Sequence, residues 1–128
     1  MAKETLVLCD TNIIIEFYKE DASVLRKLRV IGQENIALSI ITVGELLYGA
    51  LDKKERKQIN QDIAHLHLLH VDTVIGECFI DLMNNYTLSH SLSLPDGLIA
   101  ATALIEEIPL YTRNKKDFKY IDGLQLYL

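Results

Sequence analysis

The stretch Thr5-Leu6-Val7-Leu8-Cys9-Asp10-Thr11-Asn12 decides how the chain is read. A short apolar run without alternation is the pattern of a strand buried on both faces, as in a parallel sheet. This run ends in an acid, and Thr11-Asn12 open the next segment as a helix. Asp10 therefore sits at the carboxyl end of a central strand, the edge where open α/β sheets bind ligands. Asp10 also suits the N-cap of the following helix, and the two roles are compatible.

Outward from the strand at 4–9, strands and helices alternate. Helices are predicted at 11–19 and 22–31, the second with Leu25, Leu28 and Ile31 at helical spacing and Gly32 as its stop. A strand at 36–39 precedes a helix at 41–51, with Leu46, Leu47 and Leu51 as core candidates. A charged helix at 53–65 leads to a strand at 67–71 and a long helix at 73–88, whose apolar positions include Val74, Cys78, Ile80, Leu82 and Met83. A loop at 89–94 separates it from a helix at 95–107, which has Pro95 in its first turn. Strands at 110–112 and 124–127 flank a turn at 115–119. This alternation implies βαβ units, a parallel sheet and right-handed crossovers.

Length and composition set bounds on function. A chain of 128 residues fits one domain, 1–128, with a real core. It is 49% hydrophobic and 24% charged, as globular proteins are. No apolar stretch approaches membrane-spanning length, and the start Met-Ala-Lys-Glu has no signal-peptide core. Cys9 and Cys78 do not make a disulfide framework, so a reducing, cytoplasmic location is expected. The net charge of −5 argues against a non-specific nucleic-acid coat. It does not exclude an enzyme on nucleic acid, because bound cations change the local sign.

Other acids fall at the same sheet edge. Asp96 lies in the first turn of its helix, where a carboxylate complementing the dipole contributes roughly 0.3–1 kcal/mol. Its helical neighbours are Ile99, Ala100 and Ala103, which suits a face packed on a sheet better than a solvated cap. Glu45 has two readings. Thr42 to Glu45 matches a capping box, yet Ile41, Tyr48 and Gly49 share its face, and spacing leaves both open. Asp117 follows the strand at 110–112, where acids are usually solvated turn residues. If such carboxylates converge to within about 5 Å, each pair repels by about 3 kcal/mol at an effective dielectric near 20. The cluster must then hold protons or a cation. Hard oxygen donors without His or Cys favour Mg²⁺ or Mn²⁺, ions that keep waters and bind phosphates.

With these segments in view, the chain resembles the PIN-domain ribonucleases, and among them the VapC-type toxins of toxin–antitoxin pairs. The resemblance rests on Leu8-Cys9-Asp10-Thr11-Asn12, Ser39 to Leu46 with Gly49, Asp96 to Ala103, and Thr112-Arg113-Asn114-Lys115-Lys116-Asp117-Phe118. It implies a three-layer α/β/α fold with a central parallel sheet, and endoribonuclease activity dependent on Mg²⁺ or Mn²⁺. By position, Asp10, Glu45 and Asp96 match the family's principal acids, and Thr11 and Asn12 the pair that supports the first. The fourth acid is Asp117, with Asn114 as a supporting group or its replacement. In the expected mechanism, Asp10 and Asp96 hold the main metal ion and Asp117 completes that site or helps hold a second ion. Glu45 holds a water or acts as general base. The resemblance also implies a homodimer and an antitoxin segment that covers the groove.

Two basic clusters are candidates for RNA phosphates: Lys53, Lys54, Arg56 and Lys57, and then Arg113, Lys115, Lys116 and Lys119, the latter favoured because it flanks Asp117. His65, His67 and His70 are read as structural, since no zinc spacing supports them. Exposed Leu and Tyr residues on the 41–51 and 53–65 helices are candidates for partner contacts. Two rival classes remain. A Mg²⁺-binding signal-receiving domain would need a phosphoacceptor at the end of a mid-chain strand, but Asp52 opens a helix instead. A PIN domain could also bind RNA without cutting it, and a cleavage assay separates the two.

Overall fold

The computed structural model describes residues 6–128, so the first two positions of the strand predicted at 4–9 lie outside the described residues. Strands β1 (Val7–Cys9), β2 (Ile36–Ser39), β3 (His67–Leu69) and β4 (Leu110–Tyr111) form one parallel sheet in the order β3-β2-β1-β4. Helices α1 (Thr11–Tyr18) and α2 (Ala22–Ile31) link β1 to β2. Helices α3 (Ile40–Tyr48) and α4 (Lys53–Ile63) link β2 to β3, and α5 (Thr73–His90) and α6 (Leu94–Glu106) link β3 to β4. The chain thus steps outward from β1 to β3, then returns to the other side of β1.

The unbroken apolar run of β1 is explained by the two layers it separates. Leu6 and Leu8 face one core, with Ile75, Leu82, Ile99, Ala100 and Ala103 of α5 and α6. Val7 and Cys9 face the other, with residues of α1 to α4 such as Ile13, Val24, Leu46 and Ile59. Leu8 and Cys9 are fully buried, and a side chain like Leu8 contributes about 1.5–3 kcal/mol by leaving water. All the α-helices among the described residues have an Asp or Ser N-cap whose side chain accepts a backbone N–H: Asp10, Asp21, Ser39, Asp52, Asp72 and Ser93. Each such cap supports its first turn by about 1 kcal/mol.

The predicted elements are present except the last strand, with corrections at their edges. The stripe of α2 is Val24, Leu28 and Ile31, with Leu25 only half-buried. The third helix begins at Ile40 and ends at Tyr48, leaving Leu51 87% exposed rather than in the core. On α5, Val74 and Ile80 face solvent while Leu82 packs inward. That helix runs to His90, shortening the expected loop, and Leu92 in the turn is buried. The strand expected at 124–127 is reduced to a single bridge between Leu110 and Leu126, with the Leu110 N–H donating to the Gln125 carbonyl and the Tyr127 N–H to the Leu110 carbonyl.

Candidate active site

The return step of the chain splits the sheet's connections between β1 and β4, and ligands of open α/β sheets bind at such a switch point. Asp10 leaves β1 there. Its backbone N–H donates to the Tyr111 carbonyl at 2.9 Å, and its side chain is only 5% exposed. Oδ1 accepts from the Thr11 N–H and Oδ2 from the Thr112 hydroxyl, each at 2.7 Å. Burial pushes the carboxyl pKa up, and the charges of Glu45 and Asp117 push the same way, while these two hydrogen bonds pull it down. The net direction is upward.

Glu45 is placed by a different cap from the one its sequence suggests. Ser39, not Thr42, caps α3, so no capping box forms. Strand β2 runs straight into the helix, which starts too early for Thr42 to cap it. Thr42 is instead fully buried. The Thr11 hydroxyl lies 2.7 Å from Glu45 Oε1 and 2.9 Å from Thr42 Oγ1. Having one proton, Thr11 donates to the carboxylate and accepts from Thr42. Glu45 is thereby tied to the residue that follows Asp10.

Asp96 sits in the first turn of α6, its N–H donating to Ser93 Oγ at 3.2 Å. The expected neighbours Ile99, Ala100 and Ala103 are buried, so the helix holds the half-buried carboxylate at the sheet edge. A helix N-terminus favours a carboxylate by about 0.3–1 kcal/mol. Burial, followed by the charges of Asp10 and Asp117, outweighs this and raises the Asp96 pKa to about 6.

Asp117 closes a short 3₁₀ turn, Lys115–Asp117, pegged by the fully buried Phe118. Its charge reaches both Asp10 and Asp96. Asn114 joins the site through its backbone, whose N–H donates to Thr112 Oγ1 at 3.0 Å. Asn12 Oδ1 accepts the Arg113 N–H at 3.3 Å, tying the exits of β1 and β4 together. Of the favoured basic cluster, Arg113 is engaged by Asp21 at 3.3 Å, while Lys115, Lys116 and Lys119 are exposed. Lys116 shares a cleft of about 110 Å³ with Asp96 and Asp117. The cluster of Lys53, Lys54, Arg56 and Lys57 lies on the exposed face of α4.

Sequence reasoning missed Thr112 and Thr42, the buried hydroxyls that orient Asp10 and Thr11. Only the register finds Thr112: it pairs Cys9 with Tyr111, so Asp10 and Thr112 are the next residues on neighbouring strands. The His run makes no site; His67 Nε2 lies 2.8 Å from the Glu34 carbonyl, and no group of three metal-binding side chains stands ready-made among the described residues.

The last observation also describes the acids. Asp10, Glu45, Asp96 and Asp117 share one field but not yet a coordination shell. Their donor chemistry, carboxylate and hydroxyl oxygen without His or Cys, fits a hard divalent cation.

Fold and site together define a class: a three-layer parallel α/β domain with acids gathered at the switch point. The chain belongs to the PIN-domain family, whose sequence profile matches residues 7–124. It is 30% identical to ribonuclease VapC1 of Methanocaldococcus jannaschii over 129 aligned residues, covering 98% of this chain and 89% of that one. A solved toxin–antitoxin complex from Klebsiella pneumoniae superposes with a TM-score of 0.79 at 30% identity, covering 92% of this chain and 94% of that chain. VapBC2 from Rickettsia felis, solved on a DNA fragment from its promoter, also gives 0.79, at 26% identity, covering 95% and 97%. The order β3-β2-β1-β4 differs from the 2-1-3-4-5 order of signal-receiving domains, and Asp52 is the N-cap of α4. No helix among the described residues is long and apolar enough to cross a membrane.

Proposed function

We propose that the chain is a metal-dependent endoribonuclease that hydrolyses RNA phosphodiester bonds and serves as the toxin of a type II toxin–antitoxin pair. PIN-domain ribonucleases are metal-dependent, and Mg²⁺ or Mn²⁺ is the ion this donor set suits. The observation that carries the reading is the meeting of Asp10, Glu45, Asp96 and Asp117 in one field at the sheet edge, where burial and mutual charge push the carboxyls of Asp10 and Asp96 upward and a cation would offset both.

Asp10 and Asp96 would hold the principal ion, with Asp117 completing the site. When bound, the ion supplies Lewis acidity toward the phosphate and lowers the pKa of water. The chain's own residues do the rest. Thr112 and the Thr11 N–H fix the Asp10 carboxylate in one orientation. Thr11 aims Glu45 so that it can take the proton of an attacking water. Exposed Lys115, Lys116 and Lys119 offer charge to the phosphates of a polyanion otherwise repelled by this acidic edge. The named relatives support an antitoxin as partner, and we propose that its segment covers the acid groove of a homodimer in the cytoplasm. Asp96→Asn in the purified chain is expected to lower RNA cleavage in Mg²⁺ or Mn²⁺ by about 100-fold or more, since loss of even an outer-shell partner of a metal ligand costs about 10–100-fold. Full activity in that variant sinks the assignment.

A further inference from the structure

The cleft beside Asp96 and Asp117 has an aromatic wall that the chemistry above does not use. His90 lies face to face with Tyr120, their ring centroids 4.0 Å apart and their planes 9° from parallel. Tyr86 meets His90 edge-on at 5.8 Å and Tyr120 at 5.1 Å. The stack is held from outside as well. The Asp122 N–H donates to the Tyr86 hydroxyl at 3.2 Å, and Ser89 Oγ lies 2.7 Å from His90 Nδ1. Its rings come from the end of α5 and from the turn after Phe118, so two elements fix it. Tyr120 and Tyr86 pack against the core, but His90 is exposed. The charges of Asp96 and Asp117 are felt at the Tyr120 hydroxyl, behind its own burial, so the stack stands within their field.

An aromatic stack with an exposed outer ring, beside acids that handle a phosphodiester and a free lysine, matches what an unpaired nucleotide needs. Single-stranded RNA offers splayed bases that stack on His and Tyr rings. Such stacking tolerates any base, because every base has a π-face. We propose that the His90–Tyr120 stack is a nucleobase subsite that holds one unpaired base next to the phosphate presented to Asp96 and Asp117. Lys116 meets a flanking phosphate in the same cleft. The inference rests on the ribonuclease reading and adds to it a fixed place for one base beside the cut.

The test is steady-state cleavage of a single-stranded oligoribonucleotide in Mn²⁺, with a series of substrates that each carry one abasic nucleotide. With the wild-type chain, one abasic position beside the cut lowers kcat/KM about tenfold, the size of one lost stack. His90→Ala, a surface change, lowers kcat/KM on intact RNA about tenfold through KM and shows no further loss with that abasic substrate. His90→Phe recovers most of the loss because it restores the ring, and Tyr120→Leu repeats the His90→Ala result. If His90→Ala cleaves intact RNA like the wild type, or keeps the full abasic penalty, the subsite is refuted while the ribonuclease reading stands. If the wild-type chain cleaves no RNA in Mg²⁺ or Mn²⁺, both fall.

Discussion

Asp10 and Asp96 are the same chemical group in two settings, and the difference decides how each responds to protons. Asp10 is buried with both oxygens hydrogen-bonded. Asp96 is half-buried, with little to oppose its neighbours' charge, and titrates near 6 instead of 3.8. Its folded pKa lies above its unfolded value, so the folded chain binds the proton more tightly. Stability of the metal-free chain therefore falls as pH rises from about 4 to about 6, and the loss is complete above that window. Asp96→Asn should flatten this slope and gain on the order of 1 kcal/mol at pH 7.5, a figure reduced for solvent screening of a half-exposed group. Urea unfolding of both chains in EDTA at pH 4.5 and 7.5 checks it; equal differences at the two pH values would count against the shared field. Asp10 and Asp96 were legible because an acid closing an apolar run, or sharing a face with alanines, breaks the local pattern. Thr112 was not, since its partner Asp10 lies 102 positions away.

At the scale of elements, the hairpin of α5 and α6 does the positioning. Ser91, in the left-handed region at φ 55°, ends α5, and α6 starts at Leu94, so His90 and Asp96 are brought to one cleft. The two helices meet closely at Gly97, the residue after Asp96. A Cβ there would stand 2.8 Å from Met83 Sδ and 3.2 Å from the Phe79 ring. Gly97→Val is expected to destabilise the fold by about 2 kcal/mol through overpacking. It should also lower cleavage beyond what unfolding explains, because it displaces Asp96. A shift in the urea midpoint with no change in kcat/KM would show that the helix pair absorbs the strain without moving the acid. Helices were readable from spacing and caps to within a few residues. The start of α3 was misplaced because Ser39 and Thr42 both have capping side chains, and only the length of β2 chooses between them.

For the whole molecule, the parallel sheet follows from alternation, but its order does not. Local pattern fixes that β1 is buried on both faces; it does not say which strand lies on which side. The order β3-β2-β1-β4 is set by the return crossover, and that crossover creates the site by bringing Thr112 beside Asp10 and Asp117 within reach of Asp96. The acids therefore meet only in the complete fold. A cation they share should stabilise the whole domain: at 100 times its Kd, by about 2.7 kcal/mol. Mn²⁺ is expected to raise the melting temperature, EDTA to reverse the rise, and Asp10→Asn to abolish it. A rise undiminished in that variant would place the ion elsewhere.

Cys9 gives this architecture an internal clock. Its thiol is fully buried beside Asp10, and burial, followed by the neighbouring carboxylate, pushes its pKa to about 12. A thiol reagent can reach it only when the layer of α1 to α4 opens over the sheet, whereas half-buried Cys78 on α5 is reached by smaller motions. The lag between the two modification rates thus times the opening of that layer. The same event frees α1, whose Thr11 holds Glu45, so the pace at which Cys9 is trapped is also the pace at which the candidate site loosens.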